Sequence, residues 1–281
     1  MTETTQPATR ALTPNEQGAA LIGGLLNKKM AALQNFLGNK DNALRFMSCV
    51  MRCIEANPKL LECKPDSLLG AFMEAAGLGF YPGNFSGDCY ILPYNSKNGT
   101  LAQFQMGYRG LKTLAYRSGV LRAGTEVVYE NDTFHEELGT VQKLSHTRAV
   151  GDRGKAIGAY AWAEVTPGHT VFQYMTEAQI MKIKALSQAS DSKYSPWNSA
   201  QDPEKWMWQK TAWKQLAKMI PTSDKFDRAI YLDNVSERGG YIEAEGVVIE
   251  KSFEPTQDQK IDAVKEKKEE MRQAVTPPAN E

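Results

Sequence analysis

Five cations, Lys97, Arg109, Lys112, Arg117 and Arg122, lie between Asp88 and Glu126 with no acidic residue among them. Tyr90, Tyr94, Phe104, Tyr108 and Tyr116 are interleaved with them. A single-stranded polyanion needs both kinds of group: positive charge along its backbone, and flat π-faces on which unpaired bases stack. A second stretch without acids runs from Lys205 to Ser223. At 100° per residue, Lys210, Lys214 and Lys218 form a ladder on one flank of a helix, opposite Trp208, Ala212 and Leu216, with Trp206 and Trp213 between the two faces. The candidate phosphate ligands are therefore Arg109, Lys112, Arg117, Lys210, Lys214 and Lys218, with Lys97 and Gln105 in the same stretch. Tyr94, Tyr108 and Trp213 are the candidates for stacking or lining a groove. An ordinary hairpin and helix with solvated cations and core aromatics would carry the same pattern.

Catalytic signatures are missing. There is no GxxxxGK[ST] phosphate loop, since Gly151 to Lys155 has neither the spacing nor the Ser/Thr that must follow, and no HExxH, GxSxG or Rossmann fingerprint. Glu126, Glu130, Asp132, Glu136 and Glu137 are dense enough to suggest a divalent-metal nuclease, against which stands a solvated hairpin of mixed charge with His135 at its surface. Cys49, Cys53, Cys63 and Cys89 contain no CxxC pair and have no histidine close in sequence, so they read as buried thiols in a reducing compartment rather than as zinc ligands. The expectation is a binding protein with no catalytic residue, metal or cofactor.

The elements that must position these residues follow from local signals. Asn98-Gly99 is a hairpin turn between Cys89–Tyr94 and Leu101–Met106. Gly107 breaks the strand, Tyr108–Ser118 has helical spacing, and Gly119 ends it. Upstream, helices are expected over 16–36, 41–56 and 67–78, the second stopped by Asn57-Pro58. Downstream, strands are expected at 126–129, 141–150, 156–165 and 169–174, with a turn at Thr166-Pro167-Gly168. Helices should then run from Thr176 to about Gln188 and from Asp202 or Pro203 to Ile220. The fold class is α+β, a β-hairpin and small sheet packed on helices.

Hydrophobic residues make up 42% and charged residues 23% of the 281, as in a globular protein. No run of 18 apolar residues suggests a membrane span, and the polar N-terminus has no apolar signal region, so a cytoplasmic protein is expected. The zero net charge divides unevenly: 27 basic and 23 acidic residues precede Gly239, and 6 and 10 follow from there. The expected organisation is a disordered segment 1–14, a core 15–238 that is helical to about 80, and an acidic flexible tail or small partner-binding module 239–281.

Gly87-Asp88, Pro93-Tyr94, Gln105-x-Gly107-Tyr108-Arg109-Gly110-Leu111 and Leu114-Ala115-x-Arg117-Ser118-Gly119 resemble the signature of the RecT family. Ser195-Pro196-Trp197, Lys210-Thr211-Ala212 and Leu216 to Pro221 agree with it, so that the resemblance covers roughly residues 20 to 235. It implies a phage or prophage recombinase that anneals single-stranded DNA without ATP, in an α+β core, as a ring or filament. The implied partners are single-stranded DNA and the annealed duplex, further copies of the chain, a phage 5'-3' exonuclease and the host single-strand-binding protein. A single-stranded DNA-binding protein that does not anneal is the alternative.

Overall fold

The chain, as a computed structural model, is described over residues 13–83, 87–96, 99–187, 190, 195–198 and 202–249. Thr13 and Pro14 do not belong to a disordered segment. Thr13 Oγ1 accepts from the Glu16 amide while the Glu16 carboxylate accepts from the Thr13 amide, a reciprocal cap that starts α1 (Pro14–Lys28). The expected single helix over 16–36 divides at Lys29, and α2 (Met30–Leu37) ends where Gly38 takes φ 90. Asn39 caps α3 (Lys40–Ala56), a 3-10 turn follows at Pro58–Glu62, and α4 (Pro65–Gly77) completes the helical part. Leu26, Leu33, Phe46, Val50 and Phe72 meet in its interior, all fully buried.

Strands β1 (Cys89–Ser96) and β2 (Gly99–Met106) pair antiparallel with Ser96 opposite Gly99, the register a two-residue connection requires. The buried face of β2 lies on α4, where the Ser67 hydroxyl accepts from the Ala102 amide at 3.0 Å. Helix α5 (Tyr108–Arg117) follows directly. A second sheet has the order β3-β6-β7, from β3 (Arg122–Tyr129), β6 (Ala156–Thr166) and β7 (His169–Thr176), all antiparallel. Between β3 and β6 a separate hairpin is formed by β4 (Thr133–Glu137) and β5 (Lys143–Thr147), shorter than the strand expected over 141–150. Helix α6 (Glu177–Lys184) stops short of Gln188. Helix α7 (Trp206–Leu216) packs across β3, β6 and β7.

Two parts of the chain depart from the sequence reading. Helix α8 (Asp224–Glu237), unanticipated there, is capped by Ser223 and packs on β2 and α5. Gly239-Gly240 does not end the ordered body. It leads into a two-stranded hairpin, β8 (Tyr241–Ile242) and β9 (Val248–Ile249), whose Ile242 is buried. The Gly240 carbonyl accepts from Gln103 Nε2 at 2.9 Å. Gly70 allows this docking, because a Cβ there would lie 2.5 Å from the Ile242 carbonyl oxygen. The expected boundary at 238 is therefore too early, and the residues of the expected tail from 250 onward lie outside the described ones.

The glycines around Tyr108 and Arg109 have a structural cause. The Gly107 amide donates to the Asp88 carbonyl at 2.9 Å. A Cβ on Gly107 would overlap the Gly87 carbonyl oxygen. One on Gly110 would overlap that of Asp88 and stand 2.7 Å from Met106 Cε. The close approach they permit is of the chain's own segment 87–88. Alanine in a helix interior normally gains about 0.5–1 kcal/mol over glycine. At Gly110 overpacking should reverse the sign, and Gly110→Ala is expected to lose about 2–3 kcal/mol in urea denaturation. Gly24→Ala, in α1 with nothing within 4 Å of the added carbon, should instead gain stability.

Candidate nucleic-acid interface

One groove of about 610 Å³ opens on the outer face of the β1–β2 hairpin. Alternation along β1 directs Tyr90, Leu92 and Tyr94 to one side, and the register sets Gln105 opposite Tyr90 and Gln103 opposite Leu92. Tyr108 and Arg109, at the start of α5, form one end. Trp206 and Lys210 of α7, Trp197, and Ser236 and Glu237 of α8 also line the groove.

The aromatic side chains are held from behind. The Tyr108 hydroxyl stands 2.9 Å from Thr125 Oγ1, which is 2.8 Å from Gln209 Oε1. The amide oxygen only accepts, so Thr125 donates to Gln209 and Tyr108 donates to Thr125. Tyr108 and Trp206 stand ring against ring, 5.7 Å between centroids and 37° between planes. Trp206 is half exposed at the first position of α7. Its amide and that of Met207 donate to the buried Asp202 carboxylate at 2.7 and 2.9 Å, across a turn in which Lys205 takes φ 56. Arg109 is exposed and makes no ion pair among the described residues.

Beneath the groove lies a buried ion network. Lys210 Nζ donates to Asp233 Oδ1 at 2.7 Å and approaches Glu237 Oε1 at 3.6 Å. Lys214 Nζ donates to Asp233 Oδ2 at 2.9 Å and to Glu237 Oε2 at 3.0 Å. Asp233 Oδ1 also accepts from the Met106 amide at 3.1 Å. Asp233 is fully buried. Burial pushes its carboxyl up, but Lys210 and Lys214 outweigh that and hold it below the usual carboxylate range. Burial likewise acts to lower the Lys214 ammonium, and Asp233 and Glu237 override it upward. Two ammonium groups face two carboxylates, and the cluster is neutral.

Tyr94, Gln105, Tyr108, Arg109 and Lys210 thus come together, with Lys210 already neutralised. The lysine ladder, expected to offer three open phosphate ligands, is corrected: Lys210 and Lys214 are buried ion-pair partners, because α8 brings Asp233 and Glu237 against them. Lys218 alone of the three is exposed, and it donates to Gln215 at 2.7 Å. Trp213 is fully buried between α7 and the sheet and has no face open for stacking. Arg117 donates to the Leu78 carbonyl at 3.1 Å, closing the end of α4, and lies over the Phe80 ring. Lys112 lies over the Tyr116 ring at 5.8 Å, away from the groove's lining. Lys97 lies outside the described residues. The groove also contains Tyr90, Leu92, Gln103 and Trp206, absent from the sequence candidates although the Tyr90-Leu92-Tyr94 alternation was available to find three of the wall residues together.

The acids of the second sheet and its hairpin are engaged separately. Glu126 pairs with Arg148, Glu137 with His135 and Lys143, and Glu130 accepts from the Lys155 amide. Asp132 is held well below the usual carboxylate range by Arg153, against the effect of burial, and also accepts from His146 and the Ala149 and Tyr129 amides. Among the described residues no group of three His, Cys, Asp or Glu is placed to hold a metal ion. The four cysteines are buried and unpaired with one another, and burial raises the Cys53 and Cys63 thiols to about 11 and Cys89 to about 12.

The family model described as the RecT family matches residues 44–260. Protein RecT of Escherichia coli (strain K12) is 34% identical over 181 residues, 63% of this chain and 65% of that protein. Uncharacterized protein YqaK of Bacillus subtilis (strain 168) is 26% identical over 180 residues, 63% of this chain and 61% of that protein. The chain therefore spans less than two thirds of the length of either relative.

The network makes a prediction about stability. Removing one partner of a buried ion pair leaves an uncompensated charge, which costs roughly 3–5 kcal/mol. Asp233→Ala leaves two ammonium groups sharing the Glu237 carboxylate, one positive charge in excess, and should lose about that much in thermal or urea unfolding. Because folding lowers the Asp233 carboxyl, its contribution is complete above the unfolded value of about 3.9 and is lost as pH falls through the lower folded value. The stability of the wild type should therefore fall with pH below about 3.9 by an amount that is missing from the variant.

Proposed function

The chain belongs to the RecT family, and on that premise we propose that it binds single-stranded DNA in the groove on the β1–β2 hairpin and anneals complementary strands. The observation that carries this reading is the groove's composition: Tyr90, Tyr94, Tyr108 and Trp206 with Gln105, and the uncompensated Arg109 at its end. Ring faces take bases of any identity, and the Gln105 amide offers base edges both a donor and an acceptor. Arg109, with the exposed Lys218 just beyond the end of α7, supplies phosphate contacts, which position a strand without reading it. Lys97 and Lys112 are further phosphate ligands in this reading.

In this scheme no bond is made or broken in the DNA and no nucleotide is hydrolysed. Base pairing supplies the driving force, and the protein keeps one strand extended and accessible to its complement. Further copies of the chain, in a ring or filament, hold successive stretches in register. Residues from 250 onward are the proposed contact for an exonuclease that exposes the strand and for a host single-strand-binding protein, and the setting is the cytoplasm.

Stacking on an aromatic side chain contributes about 1–3 kcal/mol per base. Trp206→Ala should lose that much single-strand affinity, and melt normally because the ring is half exposed. Arg109→Ala and Lys218→Ala should each make log K against log salt shallower by about 0.7. With two complementary oligonucleotides the wild type should accelerate duplex formation without nucleotide or metal. Binding without acceleration would leave a passive single-strand-binding protein instead.

A further inference from the structure

We infer that Glu237 is a built-in competitor of the DNA backbone, holding Lys210 and Lys214 in ion pairs until a phosphate displaces it. The inference rests on the proposed reading of the groove and concerns how that site is regulated.

Three observations converge on this residue. Glu237 lines the groove and also a smaller depression of about 280 Å³ that contains Lys218 and Arg238, so it stands where the two meet. The two carboxylates of the network are unequal. Asp233 is fully enclosed, with lysine contacts of 2.7 and 2.9 Å, whereas Glu237 is partly open to solvent, with contacts of 3.0 and 3.6 Å. Glu237 is therefore the partner that can leave. It also occupies the last turn of α8, where the helix carbonyls disfavour a negative charge. Helix stability does not call for a glutamate there.

Carboxylate and phosphate are exchangeable oxyanions toward an ammonium group. While Glu237 is in place, the network offers a strand no net charge. When it swings out, Asp233 neutralises one charge and leaves one for a phosphate at the boundary between the aromatic groove and the basic depression. Glu237 thus weakens binding in general and sets a threshold that an isolated anion does not cross.

The test is salt-dependent binding of a labelled oligothymidylate by the full chain. Glu237→Gln, which has no carboxylate to displace, should bind several-fold more tightly than the wild type, with the same slope of log K against log salt, because both complexes make the same phosphate contact. Glu237→Asp, which keeps the charge, should retain the wild-type affinity. An unchanged or weaker affinity in a folded Glu237→Gln overturns the proposal while leaving the groove reading intact. Failure of the wild type to bind overturns both. If the glutamine variant does not fold, the carboxyl resonance of Glu237 in the wild type decides. It should move on adding the oligonucleotide while that of Asp233 stays, and a stationary Glu237 resonance overturns the proposal.

Discussion

The Asp233 carboxylate is the point on which this fold turns. It joins the end of β2, through the Met106 amide, to two successive turns of α7, through Lys210 and Lys214. Together with α8, which carries Asp233, these elements supply much of the lining of the groove. A carboxylate buried so completely costs several kcal/mol in lost hydration, and it is tolerable only with good geometry and every lone pair engaged. The constraint therefore holds α7 and α8 to each other and α8 to the end of β2. It also makes the groove floor electrically neutral, although two lysines lie beneath it.

That neutrality separates two functions that the sequence pattern merges. A track of free lysines would favour phosphate everywhere along it. Here the groove proper is aromatic and amide, with Arg109 at its end, while exposed Lys218 and Arg238 lie in the adjoining depression. The same arrangement that stabilises the core thus divides the surface into an aromatic and amide region and a basic one, which the proposed function assigns to bases and to backbone respectively.

The elements that follow local rules were legible in the sequence. The β1–β2 register came from Asn98-Gly99, α3 from its periodicity and Pro58, and the strand-to-helix junction from Gly107. The cluster of Tyr94, Gln105, Tyr108 and Arg109 followed, because these residues sit on one continuous supersecondary unit. What failed were statements about charge. A helical wheel shows that Lys210, Lys214 and Lys218 share a flank, but it cannot show what faces that flank. The answer lies on α8, whose Asp233 sits among Leu232, Val235 and Phe226 and reads as one polar residue in an apolar pattern. Trp213 was misread for the same reason: α7 is covered on both sides, by the sheet and by α8, so it has no single solvent face. The glycines of the Gly107-Tyr108-Arg109-Gly110 run do more than break the strand: they leave room for the carbonyls of residues 87 and 88, a contact from outside the run that local signals do not reveal.

The claim that bases lie against the aromatic wall is tested most directly by photocrosslinking. An oligonucleotide carrying 5-iodouracil would be bound by the full chain, irradiated, and the attached peptides mapped. The account predicts adducts at Tyr90, Tyr94, Tyr108 or Trp206. Adducts confined to the β4–β5 hairpin or to the α1–α3 helices, with none on the four groove aromatics, would contradict it.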